Sequence, residues 1–222
     1  MELSEALRSR RSVHEYTDES LDEETIHEIF TDATFAPSSF NLQPWEFLVL
    51  TDDEDRERLR GVANDQEHVT DAPVGVVVLG NKDPSAHADR VFEDWLDKEY
   101  IPNEEVKEAL IETAEGMAEM DEAERRVWTT RSTGLVAMSV MLSAWDRGVA
   151  TCPMGGFDAE GLLAEFDVPD QFEPVMLLTM GYPVEESDDL QNERKLRRET
   201  DEVLHFGSFD GIQEPISAPA DD

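Results

Sequence analysis

The segment Ala36–Trp45 constrains the fold more than any other part of the chain, because two prolines bracket a short polar run. Proline fixes φ and removes a backbone donor, so the run cannot lie inside a helix and is predicted to be a stiff loop. Its hydroxyl and amide side chains are neutral hydrogen-bonding groups that suit the polar edge of a flat heterocycle. The candidate binding residues of this loop are Pro37, Ser38, Ser39, Asn41 and Gln43.

A basic cluster precedes this loop. Arg10 and Arg11 carry planar, permanently charged groups whose paired donors match phosphate oxygens, and Ser12 adds a hydroxyl at the same point. Together, the cluster and the loop predict a phosphorylated, planar ligand rich in amide groups. Taken alone, the loop has a simpler interpretation, because Ser, Asn and Gln commonly form turns between a helix and a strand.

A second basic cluster follows near the end of the sequence. Seven of the 18 cations fall in the two clusters: Arg8, Arg10, Arg11, Arg194, Lys195, Arg197 and Arg198. If the clusters converge, Arg197 and Arg198 would help Arg10 and Arg11 to bind a phosphate. The alternative is that these cations offset helix dipoles or neighbouring acids such as Glu193.

Paired glycines mark a third candidate segment, Pro153-Met154-Gly155-Gly156, between an apolar strand and a predicted helix. Glycine lets the backbone approach a ligand closely, and the N–H groups at a helix start can donate to it. A plain turn between strand and helix is the alternative.

Two of these segments carry a resemblance to a known family. An Arg-Arg-Ser-Val-x-x-Tyr opening at 10–16, followed by Pro-Ser-Ser-x-Asn-x-Gln-Pro-Trp at 37–45, resembles the nitroreductase-like flavin enzymes, with gaps from about residue 3 to about 206. The resemblance implies an α+β fold, with a mixed central sheet flanked by helices, in an intertwined homodimer. It also implies that both segments, from opposite subunits, hold one flavin mononucleotide (FMN).

The resemblance extends to further site residues. It implies that Pro153, Met154, Gly155 and Gly156 lie over the flavin ring beside N5. His14 is a further candidate flavin contact, at a position where relatives often have a basic residue. Gly155 replaces an acidic residue common in some members. The polar residues Asn64, Asp65 and His68 match the family too loosely to be assigned.

Composition indicates a folded chain with a very acidic surface. The 222 residues carry a net charge of −35, yet 39% are hydrophobic, which is enough for a packed core in one domain. Self-repulsion of this size is tolerable where salt screens it, so we expect a halophilic cytoplasm. Nucleic acids and anionic membranes would repel such a surface.

The remaining sequence gives no signal for several classes of site. One cysteine, Cys152, cannot form an internal disulfide, so redox chemistry would need a bound cofactor. Five histidines lack metal-ligand spacing, and no metal site is predicted. No apolar run is long enough to span a membrane, and the polar start predicts no secretory signal.

Helical and strand patterns alternate along one predicted domain, 1–222. Helices are predicted at 2–10, 22–35, 53–62, 122–145 and 157–166, and strands at 45–51, 74–80, 149–153 and 175–182. The charged region at about 83–120 is predicted to be a lid or interface insertion, and about 184–222 an extended tail. The apolar second half of 122–145 is expected to pack against a second subunit as well.

These expectations define a function. The chain is predicted to be a homodimeric, FMN-dependent oxidoreductase that passes hydride from NADH or NADPH through flavin N5 to a quinone, nitroaromatic or similar small acceptor. No side chain is assigned as catalytic, because the cofactor carries the reaction. The alternatives are a flavin-fragmenting or dehalogenating member of the same family, or a flavin-binding storage protein without turnover.

Overall fold

The computed structural model describes residues 1–209, which divide into Met1–Gln191 and a separate unit that begins at Asn192. The elements follow the predicted alternation of helices and strands. The helices are α1 Leu3–Ser9, α2 Glu23–Ala33, α3 Asp53–Val62, α4 His68–Asp71, α5 Ala88–Asp97, α6 Glu104–Ala118, α7 Glu122–Asp146, α8 Ala159–Glu165 and α9 Asp188–Gln191. The strands are β1 Trp45–Leu50, β2 Val74–Asn81, β3 Ala150–Met154 and β4 Phe172–Gly181.

The four strands form one sheet in the order β1-β2-β4-β3. All three ladders are antiparallel, with Trp45 opposite Gly80 in the first and Ala150 opposite Gly181 in the last. The prediction was a mixed sheet. Within the described residues, parallel pairing enters only at an isolated bridge between Ser12 and Thr151 on the free side of β3.

One face of the sheet is covered by α7 and α2. The buried residues of α7 include Val136, Ala137 and Val140, which pack in one cluster with Val76 and Val78 of the central strand β2. Every residue of β2 is buried. The strand predicted at 74–80 from a run of β-branched residues is therefore confirmed as a buried strand.

The opposite face is covered by α3 and α8. Leu59 of α3 and Leu162 of α8 are fully buried in a second cluster with Leu177 of β4. Asp158 caps the start of α8, because its carboxylate accepts a hydrogen bond from the backbone N–H of Gly161 at 3.1 Å.

The region predicted as a lid or insertion consists of α5, α6 and their connection. Asn103 follows Pro102 directly and caps α6. Phe92 of α5 is fully buried and packs in a third cluster with Leu42 and Trp128. The helix pair is thereby joined to the loop that precedes β1.

The segment after Asn192 is described by itself. Its described part, up to residue 209, includes the 3-10 turn Thr200–Glu202, where the sequence predicts an extended tail. Residues 210–222 of that predicted tail lie outside the described residues. Within the described part of the chain, no helix combines the length and the apolar character needed to cross a membrane.

Candidate functional site

The Arg-Arg-Ser segment leaves α1 and joins the outer edge of β3. The indole N–H of Trp145 in α7 donates to the hydroxyl of Ser9 at 2.8 Å, which holds the end of α1. Ser12 then pairs with Thr151, and the backbone N–H of Val13 donates to the carbonyl of Thr151 at 3.2 Å. Arg10 and Arg11 are therefore positioned beside the strand that leads into the paired glycines.

The paired glycines lie against a loop that the sequence did not assign. A Cβ added at Gly156 would lie 3.4 Å from Nδ2 of Asn64, whereas one added at Gly155 would meet nothing within 4 Å. The side-chain amide of Gln66 donates to the carbonyl of Gly156 at 3.2 Å. Asn64 and Asp65 both have positive φ, at 56° and 57°. The residue types alone could have indicated this turn, because Asn and Asp tolerate positive φ better than other residues.

The loop predicted between the two prolines is strained. Phe40, Asn41 and Gln43 have φ values of 52°, 56° and 46°, which is the left-handed region that side chains disfavour. The hydroxyl of Ser38 accepts from the backbone N–H of Gln43 at 3.0 Å, and Leu42 is buried. These contacts hold the loop in a conformation that leaves Asn41 exposed.

Within one chain, this loop and the Arg-Arg-Ser segment do not share an edge of the sheet. The loop enters β1 at one edge, and Ser12 pairs with β3 at the other. Three strand spacings of about 4.8 Å place these edges roughly 14 Å apart. The predicted contacts with Arg197 and Arg198 stay predictions, since both residues belong to the separately described unit.

A cleft of about 630 Å³ lies beside the strained loop. Asn41 and Gln43 line it, and α5 supplies Arg90. Four carboxylates make its lining predominantly acidic: Glu46, Glu93, Asp94 and Asp97. Trp45 also borders the cleft, but it is only 7% exposed and packs in the main buried cluster.

His14 lies at the centre of a group of side chains that the sequence did not connect. Its Nδ1 is 3.0 Å from Oδ2 of Asp189, and its Nε2 is 3.5 Å from Sγ of Cys152. Nε2 of His68 lies 2.9 Å from Sδ of Met154. Burial lowers the pKa of His68, and the neighbouring His14 lowers it further.

Beneath this group lies the hydroxyl of Tyr16, which donates to the carbonyl of Val13 at 2.6 Å and lies 2.7 Å from the hydroxyl of Thr179. Burial raises the pKa of Tyr16, so the hydroxyl stays protonated and holds the backbone before His14.

Comparisons with known proteins identify the family of this chain. The profile of the Nitroreductase family matches residues 7–182. The "Putative NAD(P)H nitroreductase YodC" of Bacillus subtilis is 33% identical over 181 residues, which cover 81% of this chain and 89% of that protein. The crystal structure of the nitroreductase ydfN of Bacillus subtilis superposes with a TM-score of 0.84 at 30% identity, covering 91% of this chain and 97% of the other.

A third similar protein was solved with its cofactor. It is a nitroreductase from Exiguobacterium sibiricum in complex with FMN, which superposes with a TM-score of 0.82 at 26% identity, covering 93% of this chain and 97% of the other. Because the family profile spans most of the chain and these likenesses extend over nearly all of the fold, the chain belongs to the nitroreductase family.

Proposed function

We propose that this protein is an FMN-dependent NAD(P)H oxidoreductase that reduces a small oxidised acceptor such as a quinone or a nitroaromatic compound. The observation that carries the proposal is the pairing of Ser12 with Thr151. It places two arginines and a pair of ligand-accessible glycines along one edge of the sheet. A phosphorylated, planar ligand such as FMN needs these two kinds of group side by side.

The phosphate end of the ligand would be held by Arg10, Arg11 and Ser12. Guanidinium groups bind phosphate through paired, charge-assisted hydrogen bonds. On a chain with 53 acidic residues, two adjacent arginines form a local cationic point that suits a phosphate. Arg197 and Arg198 are proposed to add to this charge.

The ring would lie against the backbone that follows β3. The space at Gly155 fits this role, because a Cβ there would meet nothing within 4 Å, so a ligand can approach the main chain closely. Nδ2 of Asn64 lies 3.4 Å from the position that a Cβ at Gly156 would occupy, so this side-chain amide can contact a ring edge there. We therefore add the polar loop 64–66 to the residues proposed to surround the flavin.

We propose that the remaining contacts come from a second subunit. Ser38, Ser39, Asn41 and Gln43 lie at the opposite sheet edge from Arg10, so a homodimer is needed to bring both segments to one flavin. The α7 helix supports this assembly, since Leu135 in its apolar half is 49% exposed. A large apolar side chain in that position is suited to a subunit interface.

When bound, FMN supplies two-electron chemistry by accepting hydride at N5 and passing it to an acceptor. The protein orients the reactants, supplies hydrogen-bond donors to the ring and excludes water. The cleft beside the strained loop has a size suited to a small planar molecule. Its four carboxylates disfavour an anionic acceptor, which supports neutral quinones and nitroaromatics.

The proposal is tested with full-length protein purified at high salt. We expect the visible absorption of oxidised flavin, and bleaching of that absorption when NADH or NADPH is added without oxygen. Steady oxidation of the nicotinamide should follow when a soluble quinone is supplied. A protein that retains no flavin after incubation with excess FMN, or that binds flavin without any oxidation of nicotinamide, would refute the proposed activity.

A further inference from the structure

We propose that His14, His68 and Cys152, together with Met154, form a binding site for a thiophilic metal cation of the zinc or copper type. One ligand atom from each of the first three residues lies within 4.8 Å of the other two. Among the described residues, no other trio of His, Cys, Asp or Glu is placed to hold an ion.

The separation of His14 and Cys152 fits a site that closes around an ion. Nε2 of His14 lies 3.5 Å from Sγ of Cys152, and Nε2 of His68 lies 2.9 Å from Sδ of Met154. Metal–nitrogen bonds of about 2.0 Å and metal–sulfur bonds of about 2.3 Å separate tetrahedral ligands by about 3.5 Å. Binding of an ion would require the His68–Met154 contact to widen, which the flexible side chain of Met154 allows.

Strand β3, the Ser12–Thr151 bridge and the start of α4 position the four donor side chains. Cys152 and Met154 are two residues apart on β3, so both side chains project from the same face of the strand. The Ser12–Thr151 bridge fixes His14 next to that strand. His68 begins α4, and its ring meets the ring of His14 edge to face at a centroid distance of 4.8 Å.

A further carboxylate supports His14 as a ligand. Oδ2 of Asp189 accepts from the backbone N–H of His14 at 2.8 Å and lies 3.0 Å from its Nδ1. This contact favours a proton on Nδ1 and leaves the lone pair of Nε2 directed toward Cys152. Metal-bound histidines commonly have such a carboxylate behind them, because it fixes the tautomer and the ring orientation.

The donor set selects the class of ion. Two imidazoles, a thiolate and a thioether are soft or borderline ligands that suit zinc and copper, whereas Mg²⁺ and Ca²⁺ prefer oxygen. The thioether favours copper over zinc. The many carboxylates of the surface offer only oxygen, so this cluster is chemically distinct from the acidic shell.

The site overlaps the proposed flavin contacts at His14 and Met154. A cation and FMN are therefore expected to exclude each other, and this consequence alone rests on the proposed function. Cation binding itself is measured on flavin-free protein, so its failure would leave the proposed oxidoreductase activity untouched.

The test is an anaerobic titration of the full-length, flavin-free chain with Co²⁺ in about 1 M sodium sulfate, where screening suppresses loose binding by the acidic surface. We expect one Co²⁺ per chain with thiolate-to-cobalt charge-transfer absorption. Zn²⁺ and Cu⁺ should each displace the cobalt, and their relative potency decides which ion the site prefers. Mg²⁺ should not displace it.

Variants assign the ligands. Cys152→Ser should abolish the charge-transfer absorption and lower affinity by more than about a hundredfold, and Asp189→Asn should lower affinity by about ten- to a hundredfold. His27→Ala, which removes a histidine on α2, is the matched control and should bind normally. His68→Ala tests the site without altering the buried cysteine, and thermal melts confirm that each variant is folded.

Two results would overturn the proposal. One is cobalt binding without charge-transfer absorption in the wild type. The other is unchanged cobalt affinity in folded His68→Ala or Cys152→Ser protein. Either result would show that the ion binds elsewhere on the acidic surface.

Discussion

Ser12 forms a parallel bridge with Thr151, and this contact determines where the basic segment lies. Without it, Arg10 and Arg11 would extend from a seven-residue helix that packs on α7. With it, they lie beside the strand that ends at Met154, directly before the paired glycines. The phosphate and ring portions of the proposed site therefore share one rigid edge, and their separation is set by the backbone rather than by flexible side chains.

Removal of either arginine is expected to weaken flavin binding. Arg11→Ala should eliminate a charge-assisted contact of about 1.5 to 3 kcal/mol, which corresponds to roughly ten- to a hundredfold in the flavin dissociation constant. The measurement is a titration of flavin-free protein with FMN, followed by flavin fluorescence. Arg10→Ala should show an effect of the same size.

Arg126→Ala is the matched control for this loss of charge. Its guanidinium pairs with Glu173 at 2.7 Å on the surface, outside the proposed site. It removes one cation as well, so a general effect of net charge would change both proteins equally. Unchanged flavin affinity in both Arg10→Ala and Arg11→Ala would exclude these residues from the phosphate site.

The exposed Leu135 on α7 is expected to lie in the interface of the proposed homodimer. Burial of one Leu side chain contributes about 1.5 to 3 kcal/mol, so Leu135→Glu should weaken dimerisation by at least roughly tenfold and release flavin in parallel. Light scattering at molar salt measures the mass. Ala164→Glu places the same charge on an exposed position of α8 and should stay dimeric. A flavin-loaded monomer in the wild type would contradict this prediction.

Close packing between α7 and β2 should make Gly80 intolerant of a side chain. A Cβ at this position would lie 2.6 Å from the Thr129 hydroxyl oxygen and 2.9 Å from that of Thr133. Gly80→Ala is therefore expected to reduce the free energy of unfolding by about 1 to 3 kcal/mol. Gly61→Ala is the control, since nothing lies within 4 Å there, and in a helix it should stabilise by about 0.5 kcal/mol. Equal melting temperatures for the two variants would disprove the steric argument.

The secondary structure was largely predictable because local signals agree with the fold. α3 was predicted at 53–62 and observed there, with three acidic residues in its first turn. β2 was predicted from its run of valines. The sheet was expected to be mixed, and strand direction could not be read from the sequence, because it depends on how the long α5–α7 segment crosses between β2 and β3.

The candidate site was predictable only where residues are adjacent in sequence. Arg10, Arg11 and Ser12 form a contiguous motif. In contrast, His14, His68 and Cys152 lie at least 54 positions apart in the sequence. No periodic pattern connects such residues. They meet because the Ser12–Thr151 bridge and the contact of the 64–66 loop with Gly156 bring three chain segments together.

Salt is expected to control both folding and flavin retention, because cations are too few to neutralise the surface. The chain has 53 acidic and 18 basic residues. Lys107 illustrates the shortage, since it faces three carboxylates, those of Asp89, Glu93 and Glu104. Lowering the salt from about 1 M to about 0.01 M lengthens the screening distance from about 3 Å to about 30 Å, so many more like-charge pairs repel each other.

Desalting should therefore lower the melting temperature and release flavin, because repulsion opposes folding and also opposes the proposed dimer that would hold the cofactor. Restoring molar potassium chloride should at least partly reverse the loss, provided that unfolded chains have not aggregated. Thermal melts and flavin fluorescence at graded salt measure both quantities. The alternative is that the acidic side chains only maintain solubility. A melting temperature and a bound-flavin fraction that stay constant from about 0.05 to about 2 M would favour that alternative, since electrostatic repulsion at the surface must weaken over this range.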